Sequence, residues 1–159
     1  MIEITSLQPQ ETAEAKQLIA QVVAEVLGEQ QTPEQLVAHW NERGLLTDID
    51  HFPTYYLACL VVRNDGKIVG TGAIRALEGD IAELKRMWLL PEYRGQGWGR
   101  KLADELLERA RRGGFTRVRL DLAERDRQPQ ALRLYTRLGF REIERYNDSS
   151  CTVFLEKTL

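Results

Sequence analysis

Cysteine and histidine are scarce in this chain of 159 residues, which contains two of each. Cys59 and Cys151 both fall in segments predicted as strands, so we expect buried thiols rather than a disulfide, in keeping with a reducing cytoplasm. No cysteines or histidines have the close spacing of zinc ligands, and we therefore expect no metal site. These shortages exclude both a disulfide scaffold and a small zinc module.

Long apolar runs are also missing, because no stretch approaches the roughly 20 apolar residues of a membrane span. The first four residues do not form a basic segment followed by an apolar one, so no signal peptide is expected. A net charge of −2 provides no excess of positive charge for bulk binding to nucleic acid. We therefore expect one cytoplasmic domain over residues 1–159, with no membrane or nucleic-acid partner.

Basic residues are sparse in the first third of the chain. Residues 1–54 contain nine acids and two bases, net −7, whereas the remainder contains fifteen acids and twenty bases, net +5, which sums to −2. An acidic portion suits a cationic ligand and a basic portion suits an anionic one. The alternative is that helical surfaces vary in sign without a functional reason.

Glycine, in contrast, is concentrated where an apolar run, residues 87–90, gives way to an amphipathic helix. Gly95, Gly97 and Gly99 alternate after Pro91, which ends the run. Alternating glycines allow tight turns and leave no Cβ to obstruct a ligand, and the free N–H groups of a helix start favour negative charge. The loop is predicted to bind a phosphate or diphosphate, with a simple connection as the alternative. Its spacing matches neither the nucleotide P-loop nor the dinucleotide fingerprint.

Periodicity and turn residues predict the order of the elements. Alternating or apolar segments predict strands over residues 2–7, 55–62, 67–74, 81–90, 116–122, 140–146 and 151–157. Helical spacing and capping residues predict helices that begin at Pro9, Thr32, Trp98 and Gln128, whereas residues 45–54 lack periodicity and are predicted as a loop. This order predicts an α/β (α+β) fold with a mixed, mostly antiparallel central sheet of about seven strands and helices on both faces.

The motif Arg94-x-x-Gly97-x-Gly99 resembles the coenzyme A diphosphate loop of the GNAT (Gcn5-related) N-acetyltransferase superfamily. Residues 131–140 are similar to that superfamily's alanine-rich helix, with its tyrosine and closing Gly-Phe pair. The element order is similar as well, so the resemblance covers essentially the whole chain, with its specificity in residues 83–140. It implies acetyl-CoA as cosubstrate and direct acetyl transfer to an amine in a ternary complex.

The resemblance also implies roles for individual residues. Tyr135 corresponds to the general acid that protonates the departing thiolate, and Glu83 to the base that accepts the amine proton. The Leu89 N–H corresponds to the donor for the developing oxyanion. From the pattern alone, Tyr135 reads as a core aromatic and Glu83 as a solvated residue or a partner of Lys85. In a regular strand Glu83, Lys85, Met87 and Leu89 would share one face.

The residues expected to contact acetyl-CoA come from the strand before the loop, the loop itself and the later helix. They are Met87, Trp88, Leu89, Arg94, Gly95, Gln96, Gly97, Trp98, Gly99, Arg100, Gln128 and Tyr135. Gln128 departs from the family pattern, which commonly has an asparagine for the pantetheine amide at this point, and glutamine keeps the amide but reaches one methylene further. Arg125 and Arg127 are candidates for the adenosine phosphate, with plain exposure as the alternative.

The expected acceptor is a primary amine of a small molecule, in a pocket shaped by the early helices. The candidate lining residues are His39, Trp40, Asp48, Asp50, His51 and Phe52. The alternatives are acetylation of protein lysines or N-termini, and a non-catalytic acyl-CoA-binding regulatory module. A homodimer through the last two strands is also open.

Overall fold

Seven strands form a single sheet in the computed structural model, which describes all residues 1–159. They are β1 (Ile2–Ser6), β2 (Ala58–Asn64), β3 (Lys67–Glu78), β4 (Ile81–Leu89), β5 (Arg117–Leu122), β6 (Arg141–Glu142) and β7 (Val153–Thr158). Their order across the sheet is β1-β2-β3-β4-β5-β7-β6, and only β4 and β5 are parallel. The predicted mixed, mostly antiparallel sheet is confirmed.

Six α-helices connect these strands. They are α1 (Thr12–Leu27), α2 (Pro33–Glu42), α3 (Thr47–Asp50), α4 (Phe52–Tyr55), α5 (Trp98–Arg112) and α6 (Pro129–Arg137). The loop prediction for residues 45–54 was wrong, because α3 and α4 are single turns too short to produce a helical period in the sequence. No helix combines the length and the apolar composition needed to cross a membrane.

The sheet and the helices enclose one cluster of 32 buried residues. Gly72 of β3 permits the close approach of α5, because a Cβ at this position would lie 3.0 Å from the side chains of Leu102 and Leu106. The same Cβ would lie 2.6 Å from the Met87 sulfur, far inside van der Waals contact. A glycine in the middle of a strand thus sets how closely the helix after the glycine loop packs on the sheet.

The strand predicted over residues 140–146 is reduced to β6, and the following segment leaves the sheet. Tyr146 turns inward and its hydroxyl donates to Glu83, while Asn147 and Ser149 donate to the Asp121 carboxylate at 2.8 and 2.9 Å. Side-chain hydrogen bonds therefore replace the ladder here, and they position this segment beside the end of β5.

Candidate active site

A cleft opens where β4 and β5 separate. The two strands pair only between Ile81–Glu83 and Arg117–Arg119, and beyond this point β5 is paired with β7 alone. Residues 84–89 of β4 therefore have no strand neighbour on this side. The cleft has a volume of about 740 Å³ and is bounded by the end of β4, the glycine loop, α1 and α6.

A bulge in β4 changes which side chains face the cleft. Ala73 lies opposite Lys85 but Thr71 lies opposite Trp88, so β4 has one more residue than β3 in this interval. Arg86 lies at the bulge with a φ of +59°, an unusual value for a residue with a side chain. The extra residue reverses the alternation of side chains along the strand.

The predicted common face of Glu83, Lys85, Met87 and Leu89 is therefore wrong. Glu83 and Lys85 share a face with Trp88, whereas Met87 and Leu89 point to the opposite face, toward Gly72 and Gly70 of β3. The alternation of side chains between the two faces cannot continue through a bulge, and no single residue in β4 predicts a bulge from the sequence.

The glycine loop leaves the start of α5 open to the cleft. Gly95 and Gly97 have φ values of +73° and +90°, and a Cβ built on either would meet nothing within 4 Å. Gly97 is the N-cap of α5, no side chain caps the helix, and the first helical bond runs from the Lys101 N–H to the Gly97 carbonyl. The earlier N–H groups are thus available to an anion, and the left-handed backbone explains the need for glycine.

Positive charge dominates the cleft. One carboxylate, that of Glu25, lies among its lining residues, against five arginines: Arg94, Arg100, Arg127, Arg133 and Arg137. Arg94 is tethered at two points, because its Nε donates to the Leu89 carbonyl at 2.9 Å and its Nη2 lies 2.8 Å from Glu25. The cleft therefore suits a polyanion.

Tyr135 lies in the cleft wall and is almost fully buried. Its ring packs edge-on against Phe140, with centroids 5.5 Å apart, and its hydroxyl makes no hydrogen bond within the protein. Burial raises the pKa of this phenol above its ordinary value, so the hydroxyl remains protonated at neutral pH. Such a group can donate a proton but cannot act as a base.

Glu83 is also buried but lies outside the cleft lining. Its two carboxylate oxygens accept from Arg75 Nε at 2.9 Å and from the Tyr146 hydroxyl at 2.7 Å. The alternative of pairing with Lys85 is wrong, because Lys85 lies 3.7 Å from Asp121 instead. Burial and the Glu83 charge raise the pKa of Tyr146, which keeps that hydroxyl as a donor.

Ten of the twelve residues predicted to bind the cofactor line the cleft, and Gln96 and Trp98 do not. The Gln96 amide donates to the Glu92 carbonyl, and the Trp98 ring lies under the Lys101 ammonium at 4.4 Å. Gln128 lines the cleft, but its side-chain oxygen accepts from the Ala123 N–H at 2.8 Å. Its amide group therefore anchors the connection between β5 and α6.

Sequence reasoning missed the α1 wall of the cleft and two basic residues of its α6 wall. Val22, Glu25 and Val26 come from α1, and Arg133 and Arg137 come from α6. The spacing of four between the two arginines was a readable signal, because it puts both on one face of a helix. The α1 residues gave no signal, since only the tertiary packing brings them to the glycine loop.

Trp88 presents a buried polar atom to this region. The residue lines the cleft, and its indole Nε1 is buried with no hydrogen-bond partner. An unpaired buried donor costs roughly 1–3 kcal/mol, which a ligand with an acceptor atom would recover. The open glycine loop and the unpaired β4 edge together suit a ligand that is polyanionic at one end and rich in amide and carbonyl groups at the other.

The predicted acceptor-lining carboxylates are engaged in ion pairs rather than free. Arg86 holds Asp48 through Nε at 3.0 Å and Nη2 at 2.8 Å, and Asp50 lies 2.6 Å from Lys16. Burial alone would raise the pKa of Asp48, but the hydrogen bonds and charge of Arg86 outweigh it and hold that pKa below its usual value. Neither Asp48 nor Asp50 therefore offers a free negative charge to an acceptor.

Comparisons with known proteins agree with this geometry. YjgM, an uncharacterised N-acetyltransferase of Escherichia coli K12, is 41% identical over 87 residues, which are 53% of this chain and 51% of that protein. A protein of Azospirillum brasilense named IAA acetyltransferase is 31% identical over 122 residues, 74% of this chain and 78% of that one. The match to YjgM thus spans about half the length of that relative.

A solved structure shares this fold over the whole chain, and a family description matches most of the sequence. The PaiA N-acetyltransferase of Thermoplasma acidophilum, in complex with coenzyme A, superposes with a TM-score of 0.79 at 20% identity and covers 100% of this chain and 99% of its own. The sequence description of the Acetyltransferase (GNAT) family matches residues 18–140, most of the chain. On these grounds, and on the glycine loop at the mouth of the β4–β5 cleft, the chain belongs to the GNAT family of acetyltransferases.

Proposed function

We propose that this protein is an acetyl-CoA-dependent N-acetyltransferase that transfers an acetyl group directly to a primary amine of a small molecule. The observation that carries the proposal is the continuity of the unpaired β4 edge with the arginine-flanked glycine loop in one cleft. Strand-like main-chain groups and an anion site are thus arranged end to end. Family membership supports the same activity.

Acetyl-CoA, when bound, supplies the activated acetyl thioester. The main chain of residues 87–89 would hold its pantetheine arm, and the Leu89 N–H would stabilise the oxyanion. The N–H groups at the start of α5 and the side chains of Arg94 and Arg100 would hold its diphosphate. Binding requires Arg94 to share or release Glu25, which lies 2.8 Å from its guanidinium.

Tyr135 is the proposed general acid. A phenol whose pKa burial raises stays protonated at neutral pH, so it is available to donate its proton to the sulfur as the carbon–sulfur bond breaks. Its position in the cleft wall and its unbonded hydroxyl support this role.

Glu83 remains the proposed base for the amine proton, although its side chain does not line the cleft. Both of its oxygens are already engaged, so an amine or a bridging water would compete with Arg75 or Tyr146 for one of them. The Tyr146 hydroxyl donates a hydrogen bond to Glu83, so it would pass the amine proton on to that carboxylate. We propose that Glu83 and Tyr146 act as a unit.

Direct transfer is favoured because neither cysteine is suited to carry an acetyl group. Cys59 is buried, and burial raises the pKa of its thiol to about 12. Burial also raises the pKa of the Cys151 thiol. Because the thiolate is the reactive form, neither thiol would attack a thioester readily at neutral pH.

The proposed acceptor carries one amine rather than several. A polyamine would need several free carboxylates, but Asp48, Asp50 and Glu83 are each paired with a basic side chain. Three exposed apolar side chains, Leu45, Tyr55 and Leu57, lie in or beside α3 and α4 and would suit an amine with an apolar body. A protein lysine remains the second candidate, since these residues are also open to a peptide.

Calorimetry with acetyl-CoA, followed by thiol release with a panel of single amines, polyamines and a lysine peptide, tests the proposal. We expect binding at micromolar concentrations and intersecting initial-rate lines when both substrates are varied, as direct transfer requires. Gly97→Ala should weaken binding at least tenfold, because a Cβ at a φ of +90° distorts the start of α5.

Gly114→Ala is the matched control. Gly114 has a φ of +88° with open space around it and lies at the other end of α5. The Gly114→Ala protein should therefore lose about as much stability as Gly97→Ala and keep its affinity for acetyl-CoA. Absence of acetyl-CoA binding would contradict the activity. Binding without acceleration by any amine would favour the regulatory alternative, and parallel rate lines would contradict direct transfer.

A further inference from the structure

Two arginines of α6 face the cleft without an acidic partner. Arg133 and Arg137 both line it, and neither side chain takes part in an ion pair or hydrogen bond within the protein. Residues four apart on a helix lie one above the other, so these like charges repel each other. The helix dipole favours Arg137, in the last turn, but offers nothing to Arg133. Helix stability therefore does not account for the pair.

The packing of α6 puts this pair beside the glycine loop. A Cβ built on Gly99 would lie 3.5 Å from the Leu134 side chain, so α6 rests on the first turn of α5. Gln130, one turn earlier, also lines the cleft. The residues at positions 130, 133 and 137 thus form a polar stripe along the wall that adjoins the anion site.

The remaining basic residues nearby are less available. Arg127 donates to the Leu27 carbonyl at 2.9 Å and lies 3.4 Å from Glu124. Arg125, a candidate for phosphate contact from the sequence, does not line the cleft and pairs with Glu142. The free positive charge of the cleft outside the loop is therefore that of Arg133 and Arg137.

From this distribution we infer that Arg133 and Arg137 form a second phosphate subsite, which takes the phosphate monoester on the adenosine ribose of coenzyme A. The inference rests on the proposed function, which already assigns the diphosphate to Arg94, Arg100 and the start of α5. A phosphate monoester carries about −1.5 to −2 charges at pH 7, and two free guanidinium groups match it in charge and hydrogen-bonding geometry. The subsite makes the protein selective for coenzyme A thioesters over the same thioesters without this phosphate.

Calorimetry with acetyl-CoA and with acetyl-3′-dephospho-CoA tests the inference. We expect the native protein to bind acetyl-CoA at least tenfold more tightly than the dephospho form. The double variant Arg133→Gln/Arg137→Gln should lose this preference, binding acetyl-CoA as weakly as the native protein binds the dephospho form. Its affinity for the dephospho form should be unchanged. The preference should also shrink between pH 7.5 and pH 5.5, because the second pKa of the monoester is about 6.

The matched control is Arg109→Gln/Arg141→Gln, which removes the same charge from two exposed arginines outside the cleft. It should keep the full preference. Equal affinity of the native protein for the two ligands, or an equal loss in both double variants, would overturn the inference while leaving the proposed function intact. Failure of both ligands to bind would overturn the proposed function, and the subsite with it.

Discussion

The environment of Tyr135 shows how position converts an ordinary residue into a candidate acid. The helical pattern of α6 alone makes it an inward-facing aromatic, and it is indeed buried against Phe140. The same burial raises its pKa, and its hydroxyl has no hydrogen-bond partner within the protein. Core residue and proton donor are therefore compatible descriptions of one side chain.

Tyr135→Phe should lower kcat by about 10²-fold or more with little change in the affinity for acetyl-CoA, because only the proton donor is lost. The native enzyme should keep its activity up to pH 9.5, since burial raises the phenol pKa above its ordinary value of about 10. Initial rates of thiol release across this pH range, with calorimetry on both proteins, provide the measurement. An unchanged kcat in the variant would remove Tyr135 from the mechanism.

At the scale of elements, the bulge in β4 is held by an ion pair from outside the sheet. Arg86 has the strained φ of +59°, and its guanidinium binds Asp48 of α3 and the Leu45 carbonyl at 2.8 Å. Asp48 accepts a further hydrogen bond from the Tyr56 hydroxyl at 2.5 Å. The short helices that follow α2 are thereby tied to the stretch of β4 that we propose holds the cofactor.

Substitution of Arg86 separates the backbone strain from the ion pair. Arg86→Ala should destabilise the fold on the order of 3 kcal/mol, because it leaves Asp48 without its partner in a half-buried site and keeps the strain. Arg86→Gly should be about 1 kcal/mol more stable than Arg86→Ala, since glycine adopts this φ freely. Both should bind acetyl-CoA more weakly than the native protein.

Urea unfolding and calorimetry on the two variants measure these effects. Asp48→Asn serves as the control from the other side of the pair, and it should weaken binding without altering the backbone at residue 86. If Arg86→Gly matches the native protein in both stability and affinity, the ion pair has no role in holding the bulge.

At the scale of the whole molecule, ion pairs connect elements that are far apart in the chain. Glu11 lies 2.6 Å from Arg63 of β2, and Asp48 pairs with Arg86 of β4. The hydrogen bond from Arg63 lowers the pKa of Glu11, and for Asp48 the interaction with Arg86 outweighs a burial effect of opposite sign. Both carboxyls therefore have lower pKa values folded than unfolded.

A depressed pKa in the folded state stabilises the protein above the unfolded pKa values of about 4, and this stabilisation disappears as the pH falls through the folded values. The free energy of unfolding should thus decrease between about pH 5 and pH 3. A Glu11→Gln/Asp48→Asn variant should be less stable at pH 7 but lose less over the same interval. Urea titrations at pH 7, 5, 4 and 3 measure how the free energy of unfolding decreases in the native protein and in the variant. An equal decrease in both proteins would contradict the assignment of this stabilisation to Glu11 and Asp48.

Much of the molecule followed from local patterns in the sequence. The strand-loop-helix junction around Gly97 and the capping box of α2 depend on residues close together in the chain, as does the strict alternation of β5. The mixed sheet then followed from the order of the elements. Ten cofactor-site predictions lie in the cleft because the strand, loop and helix that carry them are themselves local features.

The sequence by itself determined the glycine loop and the order of the elements, because spacing along the chain encodes backbone conformation over a few residues. Tyr135 became the candidate acid through the family resemblance, since its helical spacing alone indicates a core aromatic. Only the tertiary structure decided the partners of Glu83, the reversal of side chains at Arg86 and the arginines that line the cleft. Each of these depends on residues distant in the chain, such as Tyr146 for Glu83 and β3 for the bulge. These pairings form when a buried charge packs against an opposite charge or when two strands pair in register. Neither kind of pairing produces a periodic pattern in the sequence.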